Sequence, residues 1–365
     1  MKVLQEELLT AKKAVVCSYN EWDPLEEVIV GVVEGATVPE YDLSVKASAP
    51  AHQASFYLKE AGNSFPKELI EKASEELNGF VSVLEQKGVV VRRPESIVCN
   101  RPYSTPEWNA KGGMYQAMPR DLLLVIGDEI FESPLAWRSR HYEINAFRPI
   151  LKDYFERGGK WSAAPRPELS DKLYEKDYTE TQLGKEPLFA INEFEPTFDA
   201  ADFIRCGRDI FAQQSNVTND IGIRWLEHHI GPEYRIHRLQ FEDSHPMHID
   251  GSFMPLAPGK LLINPLRVKE IPEMFKSWDV IVAPPSTLPN EHPLYMTSSW
   301  ISMNVLMLDQ DHVVCEEQEL PTIKALENAG FEVIPLPFRH FYSFGGGFHC
   351  ATCDVRRTGK LESYF

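Results

Sequence analysis

The chain has 365 residues, 43% of them hydrophobic and 11% aromatic, so it can bury a large core. Its 37 basic residues stand against 54 acidic ones, a formal net charge of -17, which argues against any partner gripped by its phosphate backbone, whether nucleic acid or an anionic membrane surface. Six cysteines (Cys17, Cys99, Cys206, Cys315, Cys350, Cys353) are too few for a disulfide framework and suit a reducing cytoplasm. The opening MKVLQEELLTAKKAVV has neither the apolar core of a secretory signal nor the Arg-rich, acid-poor character of a transit peptide. No apolar run reaches the ~18 residues of a membrane-spanning helix.

In chain order, the first apolar strand is EEVIVGVV (26 to 33), followed by SVLEQKGVVVRRPE (82 to 95), an amphipathic helix, a turn and a strand. RDLLLVIGDEIFES then reads as two β-rich runs split by a turn, and HYEINAFRPILKDYFERGGKWSAAP as a second helix, turn and strand. The alternation continues. FDAADFIRCGRDIFAQ precedes IRWLEHHIGPEYRIHRLQF (223 to 241), HIDGSFMPLAPGKLLINP precedes EMFKSWDVIVAPP, and ISMNVLMLDQDHVVCEE precedes TIKALENAGFEVIPLPF (322 to 338). Gly88, Gly231 and Gly330 fall where a helix stop belongs.

A length prior divides such a chain into two or three domains, but the repeat overrides it. Five helix–turn–strand units and four hairpins predict one domain, 1 to 365, of five ββαβ modules. The fifth hairpin forms only if EEVIVGVV pairs with CATCDVRR (350 to 357), so that the two terminal segments close a ring. An ordinary alternating α/β protein would share much of this pattern. What favours the ring is a polar residue at a comparable place in each hairpin, Asp121, Asp199, Asp250 and Asn304, all of which would converge on its axis.

Chemistry concentrates near the end, in FGGGFHCATCDVRR, where Gly345 to Gly347 lead into His349 and Cys350. Cys350 reads as a small buried hydrophobe, as a nucleophile, or, paired with Cys353 in a CxxC and with His245 and His248 in HPMH, as a zinc ligand. The zinc reading is weak, because strand alternation would turn Cys350 and Cys353 to opposite faces. His248 and Asp250, two apart on an expected strand, would share a face. With Asp121 and Asp199 they supply an acid/base, its orienter and anionic walls suited to a guanidinium, whose planar fork pairs with carboxylates.

At these residues the chain resembles the glycine amidinotransferase family over nearly its whole length. The stretches that carry the resemblance are AMPRD with AWRSR, FDAADFIRCGRDIFAQ, PMHID, SSWISMNVLMLD and GGGFHCATCDVRR. The resemblance implies a five-bladed α/β propeller, the pentein fold, with pseudo-five-fold symmetry. It also implies transfer of the amidino group of L-arginine to an amine through an adduct on Cys350, with ornithine released. By it, His248 is the general acid/base and Asp199 its orienting carboxylate. Asp121 and Asp250 grip the guanidinium, Arg267 holds the α-carboxylate, Thr297 and Ser298 supply hydroxyls, and Tyr115 and Met247 line the site. No metal or organic cofactor is expected, the partners are small-molecule substrates, and a homodimer is the family expectation.

Some positions depart from the glycine-accepting pattern. His245 stands for Asn, Thr297 for Ser and Cys206 for a small residue, and the loop near 175 to 190 is shorter. They leave glycine and lysine both open as acceptor. Water in that role would make the enzyme a hydrolase of the arginine deiminase type.

Overall fold

Apolar runs split by a two-residue turn fold back on themselves, because an antiparallel pair needs no more than that to pair its backbone groups. A computed structural model describes residues 14–49 and 51–365, and the segment MKVLQEELLTAKK, read above for targeting signals, lies outside them. Five three-stranded sheets result, each with its middle strand antiparallel to one neighbour and parallel to the other. In chain order of their middle strands they are Thr352–Arg357 with Leu25–Val30 and Val90–Arg92, Leu123–Ile126 with Glu129–Glu132 and Lys160–Ala163, Phe203–Cys206 with Asp209–Gln213 and Arg235–Leu239, Phe253–Ala257 with Lys260–Ile263 and Asp279–Val282, and Leu306–Met307 with His312–Glu316 and Glu332–Leu336. The first draws on segments far apart in the sequence, with Val28 opposite Asp354 and Ile29 opposite Cys353.

The parallel strand of a sheet needs a crossover, and four of the five crossovers contain an α-helix. Lys67–Gln86 turns Ala73, Leu77, Phe80 and Leu84 inward, a stripe at helical spacing. Asp220–Ile230 starts at Asn219, whose side chain accepts from the Gly222 N–H, and stops at Gly231, which takes a φ of 82°. Arg148–Glu156 and Leu320–Asn328 complete the set. The fifth crossover differs from the sequence expectation. EMFKSW makes only the 3-10 turn Glu273–Phe275, because the strand Asp279–Val282 begins before a full helix can form after Pro272.

Four first hairpin strands are entered by a short helical turn: Pro119–Leu122, Ala200–Asp202, Ile249–Gly251 and Ser299–Met303. Residues 345–351 play that part before Thr352. Asp121 and Asp250 lie within their turns, Asp199 starts its turn and Asn304 ends its own. Repeated geometry thus delivers one polar side chain per sheet to the same region.

Below that region lies a buried ion cluster. Arg205 donates to Glu21 at 2.7 and 2.8 Å and to Asp354 at 2.6 Å. Arg120 pairs with Asp354 and, at 3.5 Å, with Glu21, while Arg357 donates to Asp354 at 2.7 Å and to the Met307 carbonyl at 2.9 Å. Burial alone would push the Glu21 and Asp354 carboxyls up. Arg205 beside Glu21, and Arg120 with Arg205 beside Asp354, instead hold both well below the usual carboxylate range. Among the described residues no helix is long and apolar enough to cross a membrane.

Removing one partner of such a cluster leaves uncompensated buried charge. Arg205→Leu is expected to cost about 3–5 kcal/mol in denaturant unfolding. Lys67→Ala, which breaks an exposed pair with Glu71, should change stability by less than about 0.5 kcal/mol. Equal effects of the two substitutions would remove the cluster's structural role.

Candidate active site

Cys350 is buried where the glycine-rich run turns into the strand Thr352–Arg357. Asn304 holds it there: its side-chain oxygen Oδ1 accepts from the backbone N–H of Cys350 at 2.9 Å and of Gly347 at 3.1 Å, and its Nδ2 donates to the sulfur at 3.1 Å. The same amide donates to Asp250 Oδ2 at 2.7 Å. The glycines serve close packing. A Cβ on Gly347 would come within 2.8 Å of the Asn304 side chain, and one on Gly346 would collide with Met118 and Cys350.

His248 does not sit on a strand, as its spacing from Asp250 had suggested. It precedes the turn Ile249–Gly251 with a φ of 60°, a left-handed conformation that costs a non-glycine residue about 1–3 kcal/mol and is found chiefly where function demands it. Its ring Nε2 lies 3.0 Å from Asp199 Oδ2 and its Nδ1 lies 3.7 Å from Asp121 Oδ1. Burial opposes a charged ring, but Asp121 and the hydrogen bonds to Asp199 and Cys350 prevail and hold His248 well above the ordinary histidine range. Burial, and next to it the Asp250 charge, push the Cys350 thiol up to about 12.

The two carboxylates on either side of the sulfur are each held by a single oxygen. Asp121 Oδ2 receives Arg140 Nη1 at 2.7 Å, and Arg140 is clamped from behind by Glu143 at 2.7 and 3.0 Å. Asp250 Oδ2 receives His349 Nδ1 at 2.7 Å, and His349 Nε2 faces Glu21 of the ion cluster at 3.3 Å. The Asp121 Oδ1 atom is buried and makes no hydrogen bond among the described residues. An anionic oxygen that keeps its hydrogen-bonding capacity unused, next to a nucleophile and a basic ring, is a receptor for a cationic donor group.

A cavity of about 80 Å³ opens over these groups, lined by Cys350, His248, Asp250, Asn304, Arg267, His245, Met247, Met296, Thr297, Ser298 and others. The expected site residues line it except for Asp121 and Asp199, which reach the site through His248, and Tyr115. Tyr115 lines a different cavity of about 130 Å³, and its ring lies 5.3 Å from the Arg140 guanidinium, supporting Asp121 from behind. Cys206 is fully buried at the end of its strand in the core around Trp22, outside the cavity lining.

Cys353 is also apart, buried among Ile29, Leu123 and Val355 with its thiol toward the Leu123 carbonyl, so the HPMH and CxxC residues do not form one metal site. Asp121, His248 and Cys350 do place three donor atoms within 4.8 Å of one another, a spacing that suits a metal or a proton-sharing triad. Sequence reading missed Arg140, Glu143, His349 and Glu21 as supports. AWRSR and FHC contained two of them, but nothing local pointed to their partners.

No protein-family model matches the chain. It is 54% identical over 364 residues to the L-arginine:L-lysine amidinotransferase of Pseudomonas savastanoi pv. phaseolicola, covering 100% of this chain and 99% of that protein. To the mitochondrial glycine amidinotransferase of Xenopus tropicalis it is 50% identical over 358 residues, covering 96% of this chain and 85% of that one. The solved structure of SxtG, an amidinotransferase of the saxitoxin biosynthetic pathway of Microseira wollei, superposes with a TM-score of 0.92 at 48% identity, covering 96% of this chain and 100% of that one. Dimethylarginine dimethylaminohydrolase of Pseudomonas aeruginosa, at 15% identity and a TM-score of 0.55, shares the pentein fold alone, so the hydrolase reading has only distant relatives behind it. The sulfur, the ring and Asp250 thus line the cavity of a chain that belongs to the amidinotransferase family.

Proposed function

We propose that the protein transfers the amidino group of L-arginine to the side-chain amine of a second amino acid, with Cys350 as nucleophile, His248 as acid/base and Asp199 as its orienting carboxylate. The observation that carries this reading is the grouping of the Cys350 sulfur, the His248 ring and an Asp121 oxygen within 4.8 Å of one another, with the sulfur and the ring lining one small cavity. A guanidinium is a resonance-stabilised cation and a poor electrophile, so it must be held rigidly against a strong nucleophile. Asp121 and Asp250 hold its terminal nitrogens, and Arg267, Thr297 and Ser298 hold the amino-acid end.

Burial first, and then the Asp250 charge, keep the thiol protonated in the resting site. A cation arriving between Asp121 and Asp250 offsets the charges that raise the thiol, so thiolate forms as the guanidinium binds and a proton is displaced. The sulfur then bonds to the guanidino carbon. The bond from that carbon to the arginine side-chain nitrogen breaks as His248 passes a proton to this nitrogen, and ornithine leaves. In the second half the acceptor's ammonium gives one proton to His248, its nitrogen bonds to the same carbon, and as the carbon–sulfur bond breaks the second surplus proton of that nitrogen passes to the departing sulfur, which restores the resting thiol.

Donor and acceptor use one cavity in turn. An acceptor with a long side chain, held by Arg267 as arginine was, brings its terminal amine to where ornithine's amine left. Lysine fits that requirement, whereas glycine is too short to use both ends. His245 on the cavity wall, in place of the Asn of glycine-accepting members, and the 54% likeness to an arginine:lysine enzyme support the longer acceptor.

Three outcomes test this. Arginine alone should leave an amidino mass increment on Cys350; Cys350→Ala should lose both increment and ornithine release, while Cys353→Ala keeps them. Labelling at Cys353 would overturn the nucleophile. In the free enzyme the thiolate fraction below a pKa of about 12 rises tenfold per pH unit, so alkylation of Cys350 by iodoacetamide should climb about tenfold per unit from pH 7 to 10. A rate flat across that range would mean a thiolate formed before substrate arrives. With glycine and lysine supplied together, kcat/KM should favour homoarginine over guanidinoacetate by at least about tenfold. The reverse preference would sink the long-acceptor reading.

A further inference from the structure

Arg267 is fixed by contacts that use only part of its guanidinium. Its Nε pairs with Asp243 Oδ2 at 3.0 Å, and its Nη1 donates to the Gly251 carbonyl at 3.2 Å and to Ser252 Oγ at 3.3 Å. Among the described residues Nη2 makes no hydrogen bond, and Arg267 lines the reaction cavity. Asp243 does not line that cavity. It lies on the walls of two outer cavities, of about 250 and 460 Å³, that also reach Arg267. Its other oxygen accepts from the backbone N–H of His245 at 3.0 Å, which ties it to the segment carrying His245, Met247 and His248.

A carboxylate beside an arginine that is meant to receive another carboxylate weakens that arginine's charge. Its presence is explained by geometry. A long guanidinium side chain otherwise samples many rotamers, and an anchor on the Nε side turns the remaining Nη2 edge in one direction. We propose that Asp243 is a positioning residue: it holds Arg267 with its Nη2 edge free toward the cavity, so that the α-carboxylate of each amino-acid substrate is read at a fixed distance from Cys350. This rests on the proposed role of Arg267. Asp243 acts through Arg267 and not on the substrate itself, so its effect exists only while Arg267 is present.

A double-mutant cycle separates the possibilities. In a Cys350→Ala background, which binds arginine without turnover, the dissociation constant for L-arginine is measured by calorimetry for the parent, Asp243→Ala, Arg267→Ala and the double variant. Asp243→Ala should weaken binding by about tenfold in the presence of Arg267 and by less than about twofold in its absence. Asp243→Asn, whose amide oxygen can still accept from Nε, should recover most of the loss. In the active enzyme, Asp243→Ala should raise KM for arginine and leave kcat within about twofold. Equal losses in both backgrounds, or no loss with Asp243→Ala, overturn the proposal. If Arg267→Ala itself binds arginine as the parent does, the carboxylate-holding role of Arg267 falls first. Thermal melting of each variant reports on folding, and Asp243→Ser serves as a second truncation if the alanine variant does not fold.

Discussion

Charge that cannot reach water must be answered inside the protein, and this constraint governs the centre of the molecule. Three arginines, Arg120, Arg205 and Arg357, and two carboxylates, Glu21 and Asp354, lie buried together. They come from segments up to 336 positions apart: the Ser18 hydroxyl, which Arg205 reaches at 2.6 Å, also approaches Asp354. Each member is satisfied only if several strands arrive in register. The cluster therefore acts on assembly as much as on stability, because a misplaced strand would strand a bare ion in a medium that penalises it heavily. Through His349, which bridges Glu21 to Asp250, the same network reaches the cavity.

Above it the difficulty is inverted. A site for a cation has to be anionic before the cation arrives, yet bare carboxylates close together would repel one another and take up protons. Here one oxygen of Asp121 is held by Arg140 and one of Asp250 by His349 and Asn304. Hydrogen bonding and charge from His349 bring the Asp250 carboxyl below its ordinary value in spite of burial. Arg140 and His349, neither of which lines the cavity, aim the two carboxylates toward the sulfur.

What the sequence revealed and what it hid divide along physical lines. The hairpins and crossovers were legible because burial imposes periods of 2 and 3.6 on apolar residues. The recurrence of Asp121, Asp199, Asp250 and Asn304 followed from the repeat. EMFKSW misled because its apolar spacing resembles a helix while the segment before the strand Asp279–Val282 is too short to form one. His248 and Asp250 were grouped correctly for an incorrect reason: strand alternation was invoked, and a tight turn with a left-handed residue does the work instead. Arg267, Thr297 and Ser298 came through family resemblance, since nothing in their local pattern marks them. Arg140, Glu143 and Glu21 were invisible as supports, because a buried ion pair between distant segments leaves no periodic trace. Tyr115, expected on the cavity wall, proved to brace Arg140 from the far side.

Asn304, Cys350, His248 and the three aspartates stand on or at the edge of the turns that enter the hairpins, whereas His245, Thr297 and Ser298 belong to connecting segments without strands, 240–247 and 283–298. Drift is cheap in such connections and costly in those turns. A lineage can therefore explore new amines by altering the rim while inheriting an intact reaction centre. The architecture separates the groups that carry the chemistry from those that shape the room around it.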